Sequence, residues 1–140
     1  MSATGLETFD QTLQKTNIWL KEIMEDLGPD RQRAYHALRA VLHSLRDRLT
    51  VEEAAHLSAQ LPLLIRGIYF EGWHPAGKPN KDRSTDEFLQ HVQERLGNIE
   101  PINVEAATRS VFRVLQQNVT DSEIAHVKDM TGKALQPLWS

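Results

Sequence analysis

Apolar residues recur every three or four positions over most of the chain, which is the spacing of one face of an α-helix. In the first helix, predicted from Leu6 to Leu27, the face expected to point inward consists of Phe9, Leu13, Thr16, Leu20, Ile23 and Leu27. Gly28-Pro29 ends that helix, and Asp30 is a suitable N-cap for a second helix that runs to about Leu49. The pattern predicts an all-α protein.

Two further helices and a joint complete the first half of the chain. Thr50 and Glu53 match a capping box at the start of a third helix, and Pro62 separates it from a fourth. The segment YFEGWHPAGKP, residues 69–79, then breaks the helical pattern. It combines turn-forming glycine and proline with side chains that suit the recognition of an anion or a partner chain. These candidate binding residues are Trp73, His74 and Lys78.

The second half of the chain repeats the first at a shift of 70 residues. ALRAVLHSLRDRLTVEEAAHL lies over ATRSVFRVLQQNVTDSEIAHV, with identities at cap and core positions, and Pro62 meets another helix breaker, Gly132. We therefore predict a single domain, residues 1–140, built as a bundle from two tandem helical repeats. The repeats span about 7–70 and 84–139, and loop 71–83 joins them.

The composition removes several classes of function. The net charge of −3 gives no electrostatic reason to expect nucleic acid, and the longest apolar run, Leu61–Ile65, is too short to span a membrane. No cysteine is present, which excludes thiol nucleophiles and cysteine metal sites and fits a reducing compartment. The first residues do not resemble a signal peptide. We expect a cytoplasmic protein with neither a nucleic-acid nor a membrane partner.

The sequence LTVEEAAHLSAQLPLLIRGIYFEGWHPAGKP, followed by DEFLQHVQERLG, resembles a bacterial family designated domain of unknown function 2267. The resemblance covers nearly the whole chain. It implies an all-helical soluble protein and brings no activity.

The duplication suggests one metal hypothesis. Glu-x-x-His occurs once in each half, and two such motifs with one glutamate from each of two other helices form a di-iron site in four-helix bundles. The corresponding residues are Glu53, His56, Glu123, His126, Glu25 and Glu94. A helical projection, however, places both Glu-x-x-His pairs opposite the apolar face, and both pairs begin at the third position of a capping box. The pattern therefore favours exposed caps and exposed histidines over a metal site.

A polar stripe runs along the second helix, opposite its apolar face. It consists of His36, Arg39, His43 and Arg46, which we expect to be solvated or to dock an acidic partner.

No nucleophile, phosphate loop or acid/base pair stands out, so we expect a non-enzymatic interaction or structural module without a cofactor. Ile18, Trp19 and Met24 lie at or beyond the edge of the first helix's inward face. If exposed, they would favour self-association as a dimer. The alternative is a metal-dependent or small-molecule-binding protein that uses the Glu-x-x-His pairs or the loop between the repeats.

Overall fold

A computed structural model describes residues 3–97 and 102–140, and within these ranges all regular structure is helical. Seven α-helices are followed by a short C-terminal 3-10 helix, Lys133–Trp139. The α-helices are α1 (Glu7–Leu27), α2 (Arg31–Asp47), α3 (Val51–Ser58), α4 (Leu63–Phe70), α5 (Thr85–Leu96), α6 (Val104–Asn118) and α7 (Asp121–Thr131). The all-α prediction is confirmed.

Helix boundaries follow the local signals in the sequence. The side chains of Asp30, Thr50 and Thr120 each accept a hydrogen bond from a backbone N–H in the first turn of the helix that follows. Pro62 directly precedes α4, where its missing N–H costs nothing. Because these signals depend on only a few neighbouring residues, the sequence places the helix ends well.

Helix α2 is the centre of the molecule. It packs against α1, α4, α5 and α6, and every residue from Ala40 to Leu49 is buried. Phe88 of α5 and Phe112 of α6 meet in the same core, and Trp139 stacks on Phe112 with ring centroids 4.0 Å apart. One continuous core therefore includes residues from both halves of the chain.

Helix α1 differs from the predicted pattern at its N-terminal half. Phe9 and Leu13 were expected to face inward, but they are 49% and 37% exposed. Trp19, proposed as an exposed contact residue, is only 2% exposed, whereas Ile18 is 46% exposed. The prediction was wrong at these positions because α2 and α6 cover only the C-terminal part of α1. Met24 is partly buried against the core.

Among the described residues each half has four helical segments, and the last segment is a 3-10 helix in the second half; it follows Pro62 in the first half and Gly132 in the second. The tandem-repeat hypothesis stays a prediction. Residues 1–2 and 98–101 belong to the predicted domain and lie outside the described residues. None of the described helices is both long and apolar enough to cross a membrane.

Candidate functional site

The two Glu-x-x-His motifs meet where α3 packs against α7. Potential ligand atoms of Glu53, His56 and Glu123 all lie within 4.8 Å of one another. His126 is close by, with its Nδ1 4.0 Å from Glu123 Oε1. We call these four residues the Glu–His cluster. The expectation of exposed histidines is confirmed, since the side chains of His56 and His126 are 62% and 64% exposed. The expectation of exposed glutamates was wrong for Glu123, which is 1% exposed.

The reason lies in the length and position of the helices. Helix α3 has eight residues, and its apolar face packs on the core through Ala54 and Leu57. Part of the opposite, polar face of α3 is shielded from solvent, because α7 packs against it. A helical projection identifies the most apolar face of a short helix, but it cannot show that a second helix covers part of the polar face.

Glu123 is the most enclosed member of the cluster, with 1% of its side chain exposed. Its Oε1 accepts a hydrogen bond of 2.6 Å from His56 Nδ1. Its Oε2 is buried and has no hydrogen-bond donor among the described residues while Glu53 is ionised. A buried carboxylate oxygen without a donor is costly, so this atom requires a proton or a cation near it.

The carboxyl groups of the two glutamates are not used as helix caps. The hydroxyls of Thr50 and Thr120 accept from the backbone N–H of Glu53 and Glu123, as the sequence predicts. In a complete capping box the glutamate side chain also accepts a hydrogen bond from the backbone N–H of the cap residue. Among the described residues this second bond forms only from Ser84 to Glu87. The expectation that capping occupies the two carboxylates was therefore wrong, and both are available to the cluster.

The environment raises the pKa of Glu53 from its ordinary value of 4.5 to about 7. Burial is the largest cause, followed by the hydrogen bond to Glu123 and the negative charge of Glu123, while His56 opposes the change. When Glu53 holds a proton, the two carboxyl groups hydrogen-bond to each other. When it ionises, two like charges lie side by side, and the one on Glu123 is enclosed.

Carboxylates and imidazoles in one cluster form a ligand set for a transition-metal ion such as zinc, iron or manganese. The di-iron arrangement is wrong, however. Glu25 lies 4.0 Å from Arg113 and Glu94 lies 3.8 Å from His91, and neither joins the cluster found among the described residues. The geometry therefore fits a single ion and not a pair.

The polar stripe on α2 is largely buried. His43 and Arg46 are 5% and 3% exposed, which contradicts the prediction of a solvated face. Arg46 Nη1 donates to the carbonyl oxygens of Tyr69 and Glu71, and His43 Nε2 lies 2.7 Å from the carbonyl oxygen of Ile68. These contacts hold the end of α4 against α2.

The pKa of His43 is lowered mainly because the imidazole is buried, and the positive charges of nearby arginines lower it further.

Two members of the stripe remain partly exposed. Arg39 Nε pairs with Glu71 Oε1 at 2.7 Å, and His36 lies against Tyr35. The buried residues His43 and Arg46 therefore form a structural joint, and a docking role for His36 and Arg39 stays a prediction.

The segment after α4 has a structural reason for most of its unusual residues. Gly72 adopts a φ of 69°, and the half-buried ring of Trp73 packs back on Phe70 with centroids 5.1 Å apart. His74 is exposed, and Lys78 Nζ lies 3.5 Å from Asn80 Oδ1. A recognition role for Trp73, His74 and Lys78 stays a prediction.

An apolar surface lies between the start of α1 and α4, on a different part of the molecule. It encloses a shallow groove of about 410 Å³ that is bounded almost wholly by carbon atoms. We call it the apolar face; its large exposed residues are Phe9, Leu13, Leu63 and Leu64. The sequence analysis missed Leu63 and Leu64, although four apolar residues in the run LLIRGI exceed what one helical face can bury.

The model of a family described as uncharacterised conserved protein (DUF2267) matches residues 16–138, which include the whole Glu–His cluster. No curated protein matches the chain.

Proposed function

The chain belongs to the DUF2267 family, and we propose that it is a binding protein for one divalent transition-metal ion, held by Glu53, His56 and Glu123. One observation carries the proposal. A buried carboxylate, Glu123, has an oxygen that lacks a donor while Glu53 is ionised, and it lies beside that second carboxylate and an imidazole.

The charges and the accessibility of the cluster support this role. Two adjacent carboxylates repel unless a cation or a proton lies between them, and a divalent cation compensates both charges. His56 is 62% exposed, so an ion can enter from solvent without any opening of the core. Imidazole with carboxylate suits zinc, iron, manganese and related ions, whereas calcium and magnesium prefer oxygen ligands alone.

The cluster does not support an enzymatic role by itself. It lies at a helix–helix contact, and none of its residues lines the five best-formed cavities of the described residues. Substrate sites are usually concave and enclose most of the ligand. Binding of the ion, and not turnover of a substrate, is therefore the proposed activity.

Metal titration tests the proposal directly. The protein is first treated with a chelator, and Zn²⁺ and Mn²⁺ are then added in separate calorimetric titrations. We expect one ion per chain for at least one metal, and about tenfold weaker binding or worse for Glu123→Gln and His56→Ala. His74→Ala removes an exposed histidine outside the cluster and serves as the matched control. Equal binding by all four proteins would refute the proposal.

A second candidate function is self-association through the apolar face. Four large apolar side chains exposed next to one another usually mark a contact surface. A second copy of the chain would cover them with an identical surface, related by a twofold axis.

Sedimentation velocity over a range of concentrations tests this second candidate. We expect a dimer that Leu63→Glu and Phe9→Glu convert to a monomer. Met130→Glu is the control, because Met130 is equally exposed but lies on α7, away from the apolar face. A wild-type protein that sediments as a monomer at high concentration would exclude self-association.

A further inference from the structure

His126 is placed to complete the metal site, an inference that rests on the proposed function. It follows Glu123 by three residues on α7, so both side chains leave the same side of the helix. Its Nδ1 lies 4.0 Å from Glu123 Oε1, the oxygen that already accepts from His56. Both imidazoles thus approach one carboxylate oxygen, His56 from α3 and His126 from α7.

Ligand atoms of Glu53, His56 and Glu123 already lie within 4.8 Å of one another, and His126 lies outside that group, so its ring has to rotate toward the other three to become a fourth ligand. Ligand atoms about 2.0 Å from a tetrahedral zinc lie about 3.3 Å from each other. The pair His56 Nδ1–Glu123 Oε1 must open from 2.6 Å and the pair His126 Nδ1–Glu123 Oε1 must close from 4.0 Å. The side chain of His126 is 64% exposed, so its ring can turn without losing a buried contact.

The contact between the helices is already fixed next to the cluster. Gln60, just after α3, donates through Nε2 to Thr120 Oγ1, and its Oε1 accepts from the backbone N–H of Thr120. Thr120 is the N-cap of α7. This pair of hydrogen bonds holds the end of α3 beside the start of α7, so a metal ion does not have to bring the two helices together.

Each half of the chain contributes the same two ligand types. Glu53 and His56 come from α3 in the first half, and Glu123 and His126 come from α7 in the second. A tetrahedral ion with four protein ligands has no free position for a substrate or a reactive water, which is the arrangement of structural sites. We infer that Glu53, His56, Glu123 and His126 form a closed, four-ligand metal site that fastens the two halves of the chain together.

Titration with Co²⁺, followed by visible absorption, tests whether His126 is a ligand. Four-coordinate Co²⁺ absorbs strongly in the visible region, and the positions of its bands depend on which atoms coordinate it. We expect strong absorption from the wild-type protein. In His126→Ala, water replaces a nitrogen ligand, so the absorption bands should shift and binding should weaken about tenfold or more. His74→Ala is the control, and circular dichroism checks that each variant is folded.

The free energy of unfolding, measured with and without Zn²⁺, gives a second test of the four-ligand site. A closed site should raise the free energy of unfolding when Zn²⁺ is added to the wild-type protein, and the increase should be smaller in His126→Ala. If His126→Ala keeps the affinity and the absorption of the wild type, the inference is overturned while the three-ligand site of the proposed function survives. If the wild-type protein binds neither Co²⁺ nor Zn²⁺, both are refuted.

Discussion

Glu53→Gln is expected to stabilise the metal-free protein above pH 7 and to leave its stability unchanged near pH 4.5. The pKa of Glu53 is raised to about 7 in the folded protein, above its ordinary value of 4.5. The carboxyl group is therefore protonated in the folded state over a pH interval in which it is ionised in the unfolded state. Its contribution is fully present below pH 4.5 and is lost as the pH rises through 7.

The size of the effect follows from the two pKa values. A carboxyl group moved from 4.5 to about 7 would change the free energy of unfolding by about 3 kcal/mol if it were fully shielded from water. Glu53 is only partly buried, so solvent screening reduces the expected change to about 1–2 kcal/mol. Glutamine has nearly the same shape, stays neutral and can donate to Glu123, so the variant avoids the loss.

Urea unfolding with a chelator present, at several values between pH 4.5 and 8.5, measures this difference. The wild type and Glu53→Gln are compared at each pH, so that titration of the other groups cancels. Glu52→Gln is the matched control, because Glu52 is the preceding residue of α3 and is exposed. A constant difference between the wild type and Glu53→Gln at all pH values would contradict the raised pKa. A less stable variant at pH 8 would show that the two carboxyl groups do not repel.

Three further predictions concern burial. Trp19→Ala should destabilise the protein by about 3–5 kcal/mol in urea unfolding, and Ile18→Ala by less than about 0.5 kcal/mol, because the structure buries only the tryptophan. Trp73→Ala should cost about 1–2 kcal/mol, since its ring is half-buried against α4, and His74→Ala should be neutral by the same measurement. Arg46→Ala should cost about 3 kcal/mol, because it leaves two carbonyl oxygens without their donor; a neutral thermal melt would contradict this.

The sequence was sufficient to predict the helical class and most helix ends, because these depend on local chemistry. Asp30, Thr50 and Thr120 cap helices through their own side chains, and Pro62 lacks the N–H that a helix interior needs. Burial was harder to predict. Phe9 has the spacing of a core residue, but whether it is buried depends on how far the neighbouring helices extend along α1. The sequence of α1 contains no information on the length of its neighbours.

Buried polar residues show a second limit of sequence reasoning. Arg46 lies opposite the apolar stripe of α2, where a charged residue normally faces water. In the structure, α4 and α5 cover that side, and the arginine donates to Tyr69, Glu71 and Asp47. Tyr69 and Glu71 are more than 20 residues away from Arg46 in the chain, and contacts at that distance leave no periodic signal in the sequence of α2. A central helix with neighbours on every side is therefore predicted to be half-exposed when it is buried.

The Glu–His cluster combines both limits. The predicted repeat places Glu53 and Glu123, and His56 and His126, at equivalent positions, but equivalence alone does not bring residues together. The two pairs meet because α3 contacts α7, and each helix uses a face left over from core packing. When two copies of one motif face each other, each carboxylate meets its own equivalent, which concentrates like charge at the contact. Below about pH 7 the proton on Glu53 relieves that repulsion, and the repulsion that returns at higher pH is the reason for proposing a divalent cation at this contact.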